Sequence, residues 1–122
     1  MTKSEALHKF WSSFGIKAYD ANTVPDTARE IFPRITYDVV TDSFGNEVAL
    51  TASIWDRNMS WVRAEEIKDE ISGEIGDGGV NAPYKNGMIW IKRGTPFATR
   101  MSDTNDSIRR ILLNIEVEYI GG

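Results

Sequence analysis

Cysteine is absent from the chain and histidine occurs once, as His8. The first absence excludes disulfides, thiol nucleophiles and thiolate metal sites together, and it suits a reducing compartment. The second removes the multi-histidine zinc sites, so His8, between Leu7 and Lys9, reads as a surface or partly packed imidazole. No apolar run approaches the roughly 20 residues of a membrane span. The opening MTKSEALHKFWSSF interrupts its apolar positions with Glu5, His8 and Lys9, so it is not a signal core. A basic excess is missing too: the formal charge is -4, which removes the generic pull toward phosphate backbones. The expectation is a soluble, unprocessed chain that is not a nucleic-acid binder in the first instance.

What remains is ordinary globular material, 41% hydrophobic and 26% charged over 122 residues, enough for one domain spanning 1–122 without staples. Thr2 and Glu5 have capping-box spacing. Ala6, Leu7, Phe10, Trp11 and Phe14 then recur at helical intervals until Gly15 offers a stop, predicting a short amphipathic helix. The connector IKAYDANTVPDTAREIFP holds two prolines and reads as irregular, with a short strand over 16–19 and a helical turn after Pro25. RITYDVVTD and EVALTASIW are rich in β-branched and aromatic residues, and the SFGN between them suits a tight reversal, so they predict an antiparallel hairpin.

A second helix follows, capped by Asn58 or Ser60, with Trp61, Ala64, Ile67, Ile71 and Ile75 on one stripe and the GDGG segment ending it. A loop through Pro83 leads to a strand GMIWIKR, and the loop GTPFATRMSDTNDS leads to the closing IRRILLNIEVEYIGG. There Ile111, Leu113, Ile115, Val117 and Tyr119 alternate with polar neighbours. The fold class is therefore α+β: a mostly antiparallel sheet of about four strands with an N-terminal and a central helix packed on it, in the order α-β-β-α-β-β.

Met88, Ile89, Trp90 and Ile91 are consecutive, so that strand is apolar on both sides, and Trp55, Val40 and Leu112 lie opposite their strands' main apolar sets. The first helix or a neighbouring subunit must cover this second face. Charge is segregated as well: 61–78 holds six acids against two bases, and 79–110 holds six bases against two acids. Either these are solvated faces, or one end of a copy attracts the opposite end of the next. On that reading the interface candidates are Trp55, Met88, Trp90 and Leu112 for packing, with Glu70, Arg93, Arg100 and Arg109 for charge matching.

No catalytic constellation, cofactor site or metal site emerges. GEIGDGG lacks the Lys-Ser or Lys-Thr of a phosphate loop and follows a helix instead of a strand. SDTNDS brings Asp103 and Asp106 near Asn105 without the ligand order of a calcium loop. Ser12, Ser13, Ser60 and Ser107 sit in helix or cap contexts, and Glu116 and Glu118 read as charges on a strand face.

In length, element order and the stretches FPRITYDVV, ALTASIWDRNMSW, GMIWIKRGTPFATRMSDTND and IRRILLNIEVEYI, the chain resembles the phage tail terminators, also called tail completion or minor tail proteins. The resemblance implies a virion protein, assembled in the host cytoplasm, that forms a ring, often a hexamer. Such a ring caps the tail tube, stops its polymerisation and presents a surface for head-tail joining. Its partners would be copies of itself, the tail tube protein and the head-tail connector proteins, with nucleic acid only as DNA passing through the ring. It implies no enzyme activity, no cofactor and no membrane. The connector over 19–32 departs from the pattern and leaves open whether the first helix joins its own domain or reaches a neighbour. Two other readings stand beside it. One is a small α+β binding module or enzyme without a recognisable catalytic motif. The other is a nucleic-acid module built on Lys92, Arg93, Arg109, Arg110 and Trp90, which retention on single-stranded DNA would reveal.

Overall fold

The computed structural model describes residues 1–40 and 47–121. It has two α-helices and six strands: α1 (Lys3–Ser12), β1 (Lys17–Asp20), β2 (Arg34–Tyr37), β3 (Glu47–Arg57), α2 (Val62–Ile75), β4 (Val80–Tyr84), β5 (Gly87–Met101) and β6 (Ile108–Gly121). A 3-10 turn, Asp26–Glu30, stands between β1 and β2. The class is α+β, but the order is α-β-β-β-α-β-β-β, two strands richer than the pattern predicted. The six strands form one sheet in the order β1-β2-β3-β6-β5-β4, antiparallel except for the β1-β2 pair.

The capping box forms as its spacing requires: the Glu5 amide donates to the Thr2 hydroxyl at 3.1 Å and the Thr2 amide to the Glu5 carboxylate at 2.9 Å. Ala6, Leu7, Phe10 and Trp11 are buried, Phe14 packs beside them, and Gly15 follows at φ 79°. The helix belongs to its own domain. Trp11 stacks on Tyr37 at 6.3 Å, Lys3 sits 4.8 Å over the Tyr119 ring, and the Lys85 amide donates to the Met1 carbonyl at 2.8 Å. In α2 the residue at the cap position is Trp61, and Ser60 serves from one place earlier, its hydroxyl accepting the Val62 amide at 3.1 Å.

β2 and β3 pair in the predicted sense, Arg34 opposite Trp55 and Tyr37 opposite Ala52; the SFGN reversal lies outside the described residues. β3 then runs beside β6 for its whole length, a long-range pairing, while β6 also pairs antiparallel with its sequence neighbour β5. The segment expected as a loop through Pro83 is strand β4. The strand GMIWIKR continues past Arg93, with the register shifting between Arg93 and Ala98, as far as Met101.

Period-two alternation decides the layers. Ile35 and Tyr37, Leu50, Ala52 and Ile54, Ile89 and Ile91, and the odd residues Ile111 to Tyr119 face one side and are buried. Both helices lie on that same side. Ala6, Leu7, Phe10 and Trp11 of α1 and Ala64, Ile71 and Ile75 of α2 join one cluster with the strand residues. The alternative in which α1 covers the other face is thereby corrected: the two helices are consumed by one face. Each fully buried aliphatic side chain contributes roughly 1.5–3 kcal/mol, so the inner face has first claim on them.

Candidate functional site

The face left open is the outer side of the sheet, and the register lays it out in rows. Arg34, Trp55, Arg110 and Met101 stand opposite one another across four strands. Thr36, Ser53, Leu112 and Thr99 form the next row, and Lys92 pairs with Glu116 and Trp90 with Glu118 further along. Trp55, Trp90 and Leu112 are half-buried, while Met88 is 38% exposed opposite Ile120 at 42%. The apolar residues chosen from the sequence thus share one surface, but the surface is not bare. Guanidinium carbons of Arg34 and Arg110 lie 5.2 and 4.6 Å from the Trp55 ring centre, and the Lys92 ammonium lies 4.5 Å from that of Trp90. Cations over indole faces shield the rings with their own stems while keeping charge at the surface. The Trp55 indole N–H donates to Thr36 Oγ1 at 2.9 Å and that of Trp90 to the Gly78 carbonyl at 2.9 Å, which fixes both ring planes.

The two ends of this face differ electrically. At one end Lys92 bonds Glu47, and Glu116 and Glu118 stand near; the Lys92 contact holds the Glu47 carboxyl below its ordinary range. At the other end is a cleft of about 360 Å³ lined by Ala21, Val24, Arg29, Arg34, Thr36, Trp55 and Arg110, and no carboxylate is among them. Arg34 is 8% exposed. Its Nη1 donates to the carbonyls of Arg29 and Ile31 at 3.1 and 3.3 Å, and its Nε is buried with no partner among the described residues. Burial pushes its pKa below the usual guanidinium value, and Glu30 only partly offsets this. That acid is itself bonded to Arg57 at 3.2 Å.

The charged residues selected from sequence fall elsewhere. Arg93 points to the helix side, where it donates to Ser72 Oγ at 2.9 Å and to Asp77. Arg100 bonds Glu65 at 3.1 Å, and Arg100 and Arg109 flank the Trp61 ring at 4.8 and 5.6 Å. Arg109 also donates to the carbonyls of Met59 and Asp106. The basic and acidic segments therefore neutralise one another in part inside a single copy. Glu70 remains exposed on α2 without an ion pair among the described residues, as do Glu66 and Glu74. Arg34 and Arg29 carry the cleft although no sequence argument selected them. The signal was available, since Arg34 precedes Ile35 and must point opposite to it.

His8 is exposed on α1, its Nδ1 2.9 Å from the Tyr37 hydroxyl and its Nε2 3.3 Å from Ser12 Oγ. Asp103 and Asn105 close local turns, each accepting the amide two residues on at 2.9 Å. Among the described residues no group of three or more His, Cys, Asp or Glu side chains is placed to hold a metal ion.

The sequence matches no protein-family model and no curated protein in these comparisons. The fold, however, is similar to that of a chain in the virion of a native gene transfer agent (GTA) particle. The alignment covers 99% of this chain and 96% of that one, with a TM-score of 0.61 and 15% sequence identity. At that identity the likeness shows a shared fold, complete from α1 to β6.

Proposed function

We propose that this chain is a virion structural protein of tail-terminator type. It assembles into a ring, a hexamer on the family pattern, that caps the tail tube, stops its growth and offers the surface for head-tail joining. The observation that carries this reading is the near end-to-end fold similarity to a virion chain. A sheet whose outer face keeps Trp55, Trp90, Leu112 and Met88 partly open while both helices serve the inner face adds to it. Exposed aromatic and Met surface of this kind is typical of protein contacts. The reading needs no catalysis: the partners are other copies, the tube protein and the connector proteins, and the place of action is the particle.

Negative-stain imaging of the purified protein, with and without polymerising tail tubes, tests it. Expected are closed rings, or tubes bearing one extra terminal layer and failing to lengthen. Tubes that keep growing with bare ends in a molar excess of the protein would overturn it.

A further inference from the structure

The Arg34-Trp55-Arg110 row sets two guanidiniums against one indole, directly across adjacent strands, with Arg29 lining the same cleft. Arg110 donates to Ser53 Oγ at 3.1 Å and Arg29 makes a loose 3.7 Å contact with the exposed Asp26, so no carboxylate among the described residues bonds Arg34 or Arg110. A guanidinium nine-tenths buried with no carboxylate partner among the described residues keeps an uncompensated positive charge at the cleft. The planar fork of arginine suits a carboxylate or phosphate oxygen pair.

The missing counter-charge is present on the other side of the molecule. Glu66, Glu70 and Glu74 recur every fourth residue along one flank of α2, all exposed and without an ion pair among the described residues. Like charges at that spacing disfavour a helix unless cations meet them. Their neighbours Glu65 and Asp69 are already met by Lys68 and Arg100, and Glu47 of the outer face by Lys92. Among the described residues the α2 flank is thus an exposed row of three carboxylates still open. It lies on the helix side of the sheet, whereas the arginine cleft lies on the outer side, so one copy cannot join its own two halves.

We propose that the Arg29, Arg34 and Arg110 cleft beside Trp55 receives the Glu66, Glu70 and Glu74 flank of α2 from a second copy of this chain. The inference rests on the ring reading and gives it an address. Donor and acceptor surfaces are different and on opposite sides, so the contact is head-to-tail and repeats until the rotation closes. A net charge of -4 weighs against a polyanion as the occupant, because the rest of the molecule repels it.

Charge reversals at Arg110 and Glu70, both away from the buried core, test the contact by sedimentation velocity at low salt, with circular dichroism to establish the fold. Arg110→Glu and Glu70→Arg alone should each raise the concentration for half-assembly by about tenfold or more. An equimolar mixture should restore assembly, since in an alternating array every contact again joins opposite charges. If the wild type assembles and both folded variants assemble equally well, or the mixture fails to recover, the contact is wrong while the ring stands. A wild type that stays monomeric in solution and absent from tube ends removes the ring and the contact together. Inorganic phosphate or a short DNA duplex that binds wild type but not Arg110→Glu, with assembly unaltered by the substitution, would give the cleft to a phosphate ligand and overturn the proposal.

Discussion

Asp56 is fully buried at the end of β3, where alternation turns it toward the core. It survives there because Arg63 of α2 grips both carboxylate oxygens, Nε at 3.0 and 3.1 Å with Nη2 closing the fork. Removing Arg63 strands a charge that cannot reach water. Arg63→Ala should therefore cost roughly 3 kcal/mol in urea unfolding, near the low end for buried pairs because Arg63 itself is half exposed. Glu65 gives the pH counterpart. Burial raises its pKa, but the bonds from Lys68 and Arg100 outweigh this and hold it below the usual carboxylate range. Its folded-state pKa is depressed, so its stabilisation is present at neutral pH and fades as pH falls through the usual carboxylate range and below it. Glu65→Gln should flatten the acid limb of a melting-temperature profile and leave its shape unchanged above about pH 6, where ordinary carboxylates are fully ionised.

Strand β4 shows what an element needs in order to be read. Pro83 marked its segment as a loop, because proline cannot donate to a ladder. The structure puts β4 at the sheet's edge, where that donor is dispensable, and Tyr84 faces Gly87 across a two-residue turn of Lys85 and Asn86. β1 and the 3-10 turn, by contrast, appear close to where the connector suggested them. The extension of β5 was illegible locally, since Gly94 and Pro96 read as loop and only pairing with β6 holds Ala98 to Met101 in the sheet. Two glycines give opposite predictions at this scale. A Cβ at Gly87 would lie 2.0 Å from the Ile120 carbonyl oxygen, so Gly87→Ala should cost about 1–3 kcal/mol in thermal or urea unfolding. Gly73 in α2 has open space around it, and Gly73→Ala should stabilise by about 0.5–1 kcal/mol in the same assay.

For the whole molecule, the sequence disclosed that a second apolar face existed, through Trp55, Trp90 and Leu112, but not how much of it cations would shade. Alternation is a local property. The meeting of Arg34 with Arg110 over one indole depends on β2 and β6 both flanking β3, a long-range fact. For the same reason Arg93 and Arg100, which stand in a basic stretch, turn out to be engaged by α2. If charge joins the copies, sedimentation should show assembled mass falling as sodium chloride rises from about 50 mM to about 1 M, as the screening length shrinks toward 3 Å. Mass that is insensitive to salt would mean that the apolar residues Met88, Trp90 and Leu112 bear the contact instead.

The two margins of the sheet bear on how such a particle can grow. One margin is β1, four residues long, and the other is β4, interrupted by Pro83. Neither offers a long run of free amides and carbonyls on which a foreign strand could lay itself down. At those two strands strand-on-strand fibre seeding is discouraged by the backbone itself, a fitting trait in a molecule whose proposed task is to bring a polymer to its end.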